Sequence, residues 1–140
     1  MNGCFLIVSA LVRTFLGPQT DKFGGDRCTI FGHFVCGVGA TMFAFAPDNT
    51  PWGWNLIGGT LLMAGAQGLL NSAVYKWSPK IFGKRTAQVG GVVGGIGALG
   101  GFFLPIGLTL LGGGSKSMFL FTGMHLVMMI FSIILKKVED

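Results

Sequence analysis

The sequence predicts an all-α membrane protein, and three observations lead to that fold class. Hydrophobic residues make up 51% of the 140 residues, whereas only 11% are charged. The apolar residues form runs near the roughly 20 residues that a helix needs to cross a bilayer. No run shows the alternating in-out pattern of barrel strands. We therefore expect five transmembrane helices.

Polar, turn-forming segments divide these apolar runs. GPQTDKFGGDR carries the Gly and Pro signals of a tight loop and ends the first run near Gly17; PDNTPW ends the second, and GGGSKS precedes the last. Trp52 and Trp54 follow the second run, where interfacial aromatic residues are expected. The first run is short and resembles a span whose beginning is missing. We predict spans at 3–17, 28–47, 54–75, 87–111 and 118–135.

The distribution of basic residues predicts the orientation of these spans. Eight of the ten lysines and arginines fall on one side of an alternating five-span topology. Cytoplasmic loops carry such an excess of positive charge. We therefore expect residue 1 outside and the C-terminus in the cytoplasm of a cell (inner or plasma) membrane.

Several functional classes lack the residues that they need. The basic residues are interleaved with apolar spans and form no nucleic-acid-binding face. Cys4, Cys28 and Cys36 lack zinc-site spacing and lie in or beside apolar runs, so we expect packing residues without a disulfide. No catalytic constellation or phosphate loop is found. We expect neither an enzyme nor a bound metal or cofactor.

The fourth span is unusually rich in glycine. Gly90, Gly94, Gly97 and Gly101 fall on one helical face and form a stripe of small residues. Each glycine costs a helix in water roughly 0.5 to 1 kcal/mol relative to alanine, but in a bilayer every unpaired backbone group costs more, so the helix persists. The stripe lets a neighbouring helix or a small ligand approach the backbone.

Two segments carry a resemblance to a known family. RTFLGPQTDKFGGDR resembles the short cytoplasmic loop motif of the major facilitator superfamily, roughly G-x-x-x-D-R/K-x-G-G-x-R. NSAVYKWSPKIFGKRTAQVGGVVGGIGALGGFFLP is similar to the tenth and eleventh helices of nitrate/nitrite porters, including a glycine-rich signature that ends in GGF-x-x-P. The resemblance implies helices eight to twelve of a twelve-helix transporter. These five helices would form part of the C-terminal six-helix bundle, without the first seven helices.

Arg13 is the only charged residue well inside an apolar span. A guanidinium there costs about 2.5–3.5 kcal/mol on insertion scales and needs a partner or a watery cavity. Its rigid fork of donors suits a planar oxyanion, and in the resemblance Arg13 matches the arginine that contacts nitrate. Snorkelling toward the cytoplasmic face, or pairing with an acid elsewhere in the transporter, stays open.

The resemblance extends the substrate site beyond Arg13. Asn71 and Ser72 would orient the anion, although hydrogen bonding between helices explains them equally well. Four glycines of the fourth span would line the anion's path, with helix packing as the alternative. These four are Gly94, Gly97, Gly100 and Gly101.

A conformational gate is expected in the first loop, at Asp21, Lys22 and Arg27. In the family the acid at the position of Asp21 lies near the N-terminal end of the eleventh helix, here around Thr86 and Ala87. A helix N-terminus favours a carboxylate; an ordinary solvated acid is the alternative. His33 and His125 lie inside spans, where bridging between helices is more usual than proton transfer.

These inferences predict transmembrane transport of nitrate and nitrite by alternating access, as in nitrate assimilation. The partners are the anion, the lipid bilayer and the missing N-terminal helices, so the isolated 140 residues are expected not to transport. One alternative is a major facilitator carrier of another small anion or a metabolite. Another is a small oligomeric channel or scaffold that assembles through the glycine stripe.

Overall fold

A computed structural model describes residues 2–47, 53–110 and 112–139 of the chain. It contains five long helices: α1 (Asn2–Phe23), α2 (Gly25–Ala44), α3 (Trp54–Phe82), α4 (Thr86–Leu110) and α5 (Phe119–Glu139). Short 3-10 turns at Gly83–Arg85 and Ser115–Met118 precede α4 and α5. Within those ranges no strand occurs, and the all-α prediction is confirmed.

The packing centres on α2 and α3. α2 lies against α3 and α5, α3 also packs on α1, and α4 contacts chiefly α3. The buried core lies between α2 and α3 and consists of Cys36, Ala40, Met63, Ala66 and Leu70. Two of the five are alanines, and small side chains let helix backbones approach each other closely.

Glycines produce the closest helix contacts, but these are not the glycines of the predicted stripe. A Cβ on Gly59 would lie 2.7 Å from the carbonyl oxygen of Gly39, and a Cβ on Gly39 would lie 2.9 Å from that of Gly59. On the other side of α3, a Cβ on Gly68 would overlap the carbonyl oxygen of Ser9 in α1. The crossings of α2 and α1 with α3 therefore require glycine.

The prediction of a tight loop after Gly17 is wrong. α1 continues through Pro18 to Phe23, and Gly24, with φ of 86°, is the single residue between α1 and α2. Contacts with the rest of the bundle hold the segment as a helix. Thr20 is 1% exposed, and Lys76 of α3 donates a hydrogen bond to the carbonyl oxygen of Gly17 at 2.9 Å. Tertiary packing overrides the local turn signals here.

The connections before and after α4 contain glycines in the left-handed region. α3 extends past Tyr75 to Phe82, so most of the basic segment expected as a loop is helical. Trp77, only 5% exposed, holds this extension against the bundle. Gly83 turns the chain with φ of 52°, and Gly112–Gly114 join α4 to α5 with positive φ at all three residues. Residues 48–52, including Trp52, lie outside the described residues; Trp54 is exposed at the start of α3.

The surface of the bundle is rich in large apolar side chains. Phe15 of α1 is 72% exposed and Phe131 of α5 is 63% exposed. Soluble monomers rarely expose so large an apolar surface. Within the described ranges, two segments have the length and composition of a membrane span, Gly3–Phe23 and Ser115–Val138.

Candidate functional site

A cavity of about 300 Å³ lies between α2, α3, α4 and α5. Its lining consists of His33, Gln67, Leu70, Asn71, Val74, Tyr75, Val93, Gly94, Gly97 and His125. The α3 and α4 members recur every three or four residues, so each helix presents one face to the cavity. Amide, imidazole and phenol groups on an otherwise apolar wall are typical of a site that binds a small polar ligand.

The structure brings three of the predicted site residues together in this cavity. Asn71, Gly94 and Gly97 all line it. A Cβ on Gly94 or Gly97 would meet no atom within 4 Å, so this part of the stripe borders open space. Gly100 and Gly101 belong to α4, but their surroundings lie outside the described part of the chain.

Arg13 and Ser72 lie apart from this cavity. Successive residues of a helix point about 100° apart, so Asn71 and Ser72 face different neighbours. The buried Ser72 hydroxyl donates a hydrogen bond of 3.3 Å to the carbonyl oxygen of Arg13. The Arg13 side chain is exposed and has no hydrogen-bond or ion-pair partner among the residues that the structure describes. The hydroxyl thus joins α3 to the main chain of α1.

A histidine pair in the cavity wall is the feature that the sequence did not predict. Nδ1 of His33 in α2 lies 3.1 Å from Nδ1 of His125 in α5, and Nε2 of His125 lies 3.1 Å from Sγ of Cys36. Gln67 donates its amide to the same sulfur at 3.8 Å. The expectation that each histidine bridges helices is confirmed. Their partnership spans 92 residues, and no local pattern indicates it.

Charged side chains join helices at one end of the bundle. Lys76 of α3 forms an ion pair with Asp21 of α1, and Lys136 of α5 pairs with Asp26 of α2 at 2.5 Å. Asp21 therefore contacts α3 in this structure, not the N-terminal end of α4. The other two predicted gate residues, Lys22 and Arg27, are exposed and form no ion pair within the described ranges.

The pKa of the Asp26 carboxyl group is set by opposing effects. Burial raises its pKa, but the hydrogen bond from Lys136, main-chain hydrogen bonds and the lysine charge together lower the pKa below 3.8. The carboxylate therefore stays charged at neutral pH. Asp26 and Lys136 link the beginning of α2 to the end of α5.

No group of three or more His, Cys, Asp or Glu side chains in the described segments has the arrangement of a metal site. Each of the three cysteines is free; Cys28 and Cys36 are buried and Cys4 is exposed.

Residues 1–139 match the family described as the Major Facilitator Superfamily. A probable nitrate/nitrite antiporter of Thermus thermophilus is 31% identical over 120 residues, which is 75% of this chain and 27% of the relative.

Two further relatives carry similar descriptions. A nitrite extrusion protein of Bacillus subtilis is 30% identical over 102 residues, covering 73% of this chain and 25% of the relative. A probable nitrate transporter of Staphylococcus haemolyticus is 27% identical over 112 residues, covering 80% and 28%. The chain thus spans about a quarter of the length of these relatives. No solved structure matches it.

The all-α bundle, its apolar surface and the match over residues 1–139 lead to one conclusion. The chain belongs to the Major Facilitator Superfamily, and its relatives there are nitrate and nitrite transporters.

Proposed function

We propose that the chain is the C-terminal part, helices eight to twelve, of a nitrate/nitrite transporter that works by alternating access in a cell membrane. All five long helices would span the bilayer. The low coverage of the relatives supports a longer transporter, and their descriptions support the anion. Such carriers hold substrate near the midplane between two bundles that rock about it.

The observation that carries the proposal is the cavity that joins Asn71 of α3 to the glycine face of α4. The amide of Asn71 supplies hydrogen-bond donors, and the bare backbone at Gly94 and Gly97 leaves room beside it for a small planar anion. Gly100 and Gly101 would continue this path along α4. Desolvating an anion is costly unless donors replace its water.

Arg13 would bind the anion from the exposed face of α1. Its guanidinium has no partner among the described residues, and an unpaired intramembrane cation is a functional-site hypothesis by default. The Ser72 hydroxyl would hold the main chain of Arg13 and so act as a positioning residue. Rocking of this bundle against the N-terminal bundle would bring the exposed face of α1 that carries Arg13 to the anion.

The ion pair of Asp21 and Lys76 would act as a gate at the cytoplasmic end. In one state Lys76 holds the carboxylate; in the other, the carboxylate would move to the N-terminal end of α4, whose partial positive charge attracts it. Lys22 and Arg27 would contribute positive charge to the same face. A contact formed in only one state biases the equilibrium between the two states.

The test uses the full-length transporter of which we propose this chain is a part. Its Arg13→Lys variant keeps the charge but loses the bidentate fork. In proteoliposomes we expect its apparent KM for nitrate to rise about tenfold or more, the equivalent of about 1.4 kcal/mol. Lys80→Arg, an exposed conservative change, is the matched control. Unchanged nitrate uptake by the Arg13 variant would remove Arg13 from the site.

Two further measurements separate the alternatives. If organic anions or metabolites compete for uptake and nitrate and nitrite do not, the chain belongs to a carrier of another substrate. If the 140-residue chain alone carries nitrate across a liposome membrane, it is an oligomeric channel. The glycine stripe, which borders open space at Gly94 and Gly97, would then be the contact between subunits.

A further inference from the structure

A chain of hydrogen bonds runs through the cavity wall, and its two ends differ in whether they have a partner. It runs from Gln67 through Cys36 and His125 to His33. At the first end, the Gln67 amide donates to sulfur. At the other end, Nε2 of His33, a residue of the cavity wall, has no partner among the described residues and is free to contact a bound group.

The facing Nδ1 atoms limit how many protons the two imidazoles hold. A neutral histidine has one donor and one acceptor nitrogen, so a contact between two Nδ1 atoms at 3.1 Å requires a single proton between them. With two protons in total, both imidazoles are neutral, and either Nδ1 can donate to the other. The pair therefore has two possible arrangements of its protons.

A third proton gives the pair a single arrangement. Both Nε2 atoms then carry a proton, and one proton lies between the two Nδ1 atoms. Nε2–H of His125 donates to Sγ of Cys36, which also accepts from Gln67, so every observed contact is kept. A fourth proton would place two donors face to face and break the contact. The geometry therefore accepts one extra proton for the pair.

The resulting cation needs an anion. The titratable groups that face the pair are the Cys36 thiol of α2 and the Tyr75 phenol of α3, and neither is a carboxylate. Gln67 and Asn71 are uncharged amides, α4 contributes only Val93, Gly94 and Gly97, and no carboxylate lines the described cavity. An uncompensated charge inside a membrane is costly, whereas a nitrate in the same cavity would neutralise it.

We propose that His33 and His125 together bind one proton along with an oxyanion in this cavity, so that proton and anion move in the same direction. This inference rests on the proposed function for the identity of the anion. The proton comes from water in the open cavity onto a histidine nitrogen and returns to water on the other side, so no other reactant is needed. Because coupling is reciprocal, nitrate raises the proton affinity of the pair as much as the proton raises the affinity for nitrate.

Binding is measured on the full-length transporter in lipid nanodiscs, with nitrogen-15 in its histidines. We expect one proton to be taken up per pair and nitrate to move the midpoint of this titration to higher pH. Above the midpoint, the apparent Kd for nitrate should rise about tenfold per pH unit, as for one linked proton. A titration that nitrate leaves unchanged, or two independent protons, overturns the proposal.

Variants localise the effect. His33→Gln and His125→Gln keep hydrogen-bonding groups but cannot bind the proton, and the dependence of nitrate affinity on pH should disappear in both. Thr122→Val is the matched control, because Thr122 also joins α5 to α2 through Thr41 at 3.1 Å but does not line the cavity. It should keep the parent's pH dependence. A glutamine variant that keeps the parent's dependence contradicts the proposal even if the other fails to fold.

Transport by the longer protein separates this inference from the proposed function. Nitrate entry into proteoliposomes should be accompanied by proton entry, read by a pH-sensitive dye inside the vesicles. Nitrate flux without proton flux overturns the proton role and leaves nitrate transport standing. Absence of nitrate flux in the parent refutes the proposed function, and the nitrate-linked titration still decides the role of the histidines.

Discussion

The crossing of α2 and α3 at Gly39 and Gly59 provides a quantitative test of how the bundle is held together. A Cβ on Gly59 would lie 2.7 Å from the Gly39 carbonyl oxygen and 2.9 Å from the main-chain nitrogen of Phe43. Ordinary carbon–oxygen contacts between helices are about 3.3–3.6 Å. Because both opposing atoms belong to the main chain, no side-chain rotation relieves the overlap, and the helices must separate by about 0.6–0.9 Å.

The expected cost follows from two opposing contributions. Overpacking a well-packed core typically costs about 1–3 kcal/mol. Replacing a helical glycine by alanine returns roughly 0.5–1 kcal/mol of helix propensity. Gly91→Ala isolates the second contribution, because a Cβ there would meet nothing within 4 Å. We therefore expect Gly59→Ala to be about 1–3 kcal/mol less stable than Gly91→Ala.

These differences in stability are measured by unfolding each variant with an increasing concentration of denaturing detergent in the same lipid mixture. Circular dichroism follows the loss of helix. The double variant Gly39→Ala/Gly59→Ala adds a second criterion. Once one alanine has separated the helices, the other meets less resistance, so the double variant should lose less than the sum of the single losses, by about 0.5 kcal/mol or more. Equal stability of Gly59→Ala and Gly91→Ala, or strict additivity, would refute the close crossing.

Two further predictions concern the charged end of the bundle. Asp26→Asn should lower the free energy of unfolding by up to about 1 kcal/mol at neutral pH. Because the pKa of Asp26 is lowered in the folded state, its contribution is full above the unfolded value of 3.8 and is lost as the pH falls through the folded pKa; a pH series of unfolding curves should show this loss in the parent and not in the variant. Lys76→Met removes the ion pair with Asp21, so amide hydrogen exchange over the last turn of α1 should accelerate several-fold, whereas Lys80→Met should leave it unchanged. Equal exchange in the two lysine variants would show that the ion pair does not hold α1.

The helices α1 and α3 extend beyond the predicted span ends for one physical reason. Hydropathy reports which residues avoid water, but a helix continues wherever its main chain is paired and its side chains pack. α1 passes through Pro18 because Thr20 and Lys76 hold its last turn, and α3 passes Tyr75 because Trp77 is buried. The apolar run therefore predicts that a helix exists better than it predicts where the helix stops.

The candidate site was only partly accessible to sequence reasoning. Asn71, Gly94 and Gly97 were predicted from the family motif, and the structure places them around one cavity. The placement of Ser72 against α1 depends on how α3 is rotated, which two neighbouring polar residues do not reveal. The predicted stripe on α4 borders open space at Gly94 and Gly97, whereas close helix contacts occur at Gly39, Gly59 and Gly68.

Composition, hydropathy and glycine content determined by themselves that the chain forms apolar helices, and two short motifs determined its family, since these properties are local to a segment. Tertiary structure alone decided which residues meet. The contact of His33 with His125 and the pairing of Asp26 with Lys136 join residues far apart in the chain. Such contacts depend on the rotation and crossing of whole helices, and those are set by backbone contacts at a few glycines that no single segment encodes.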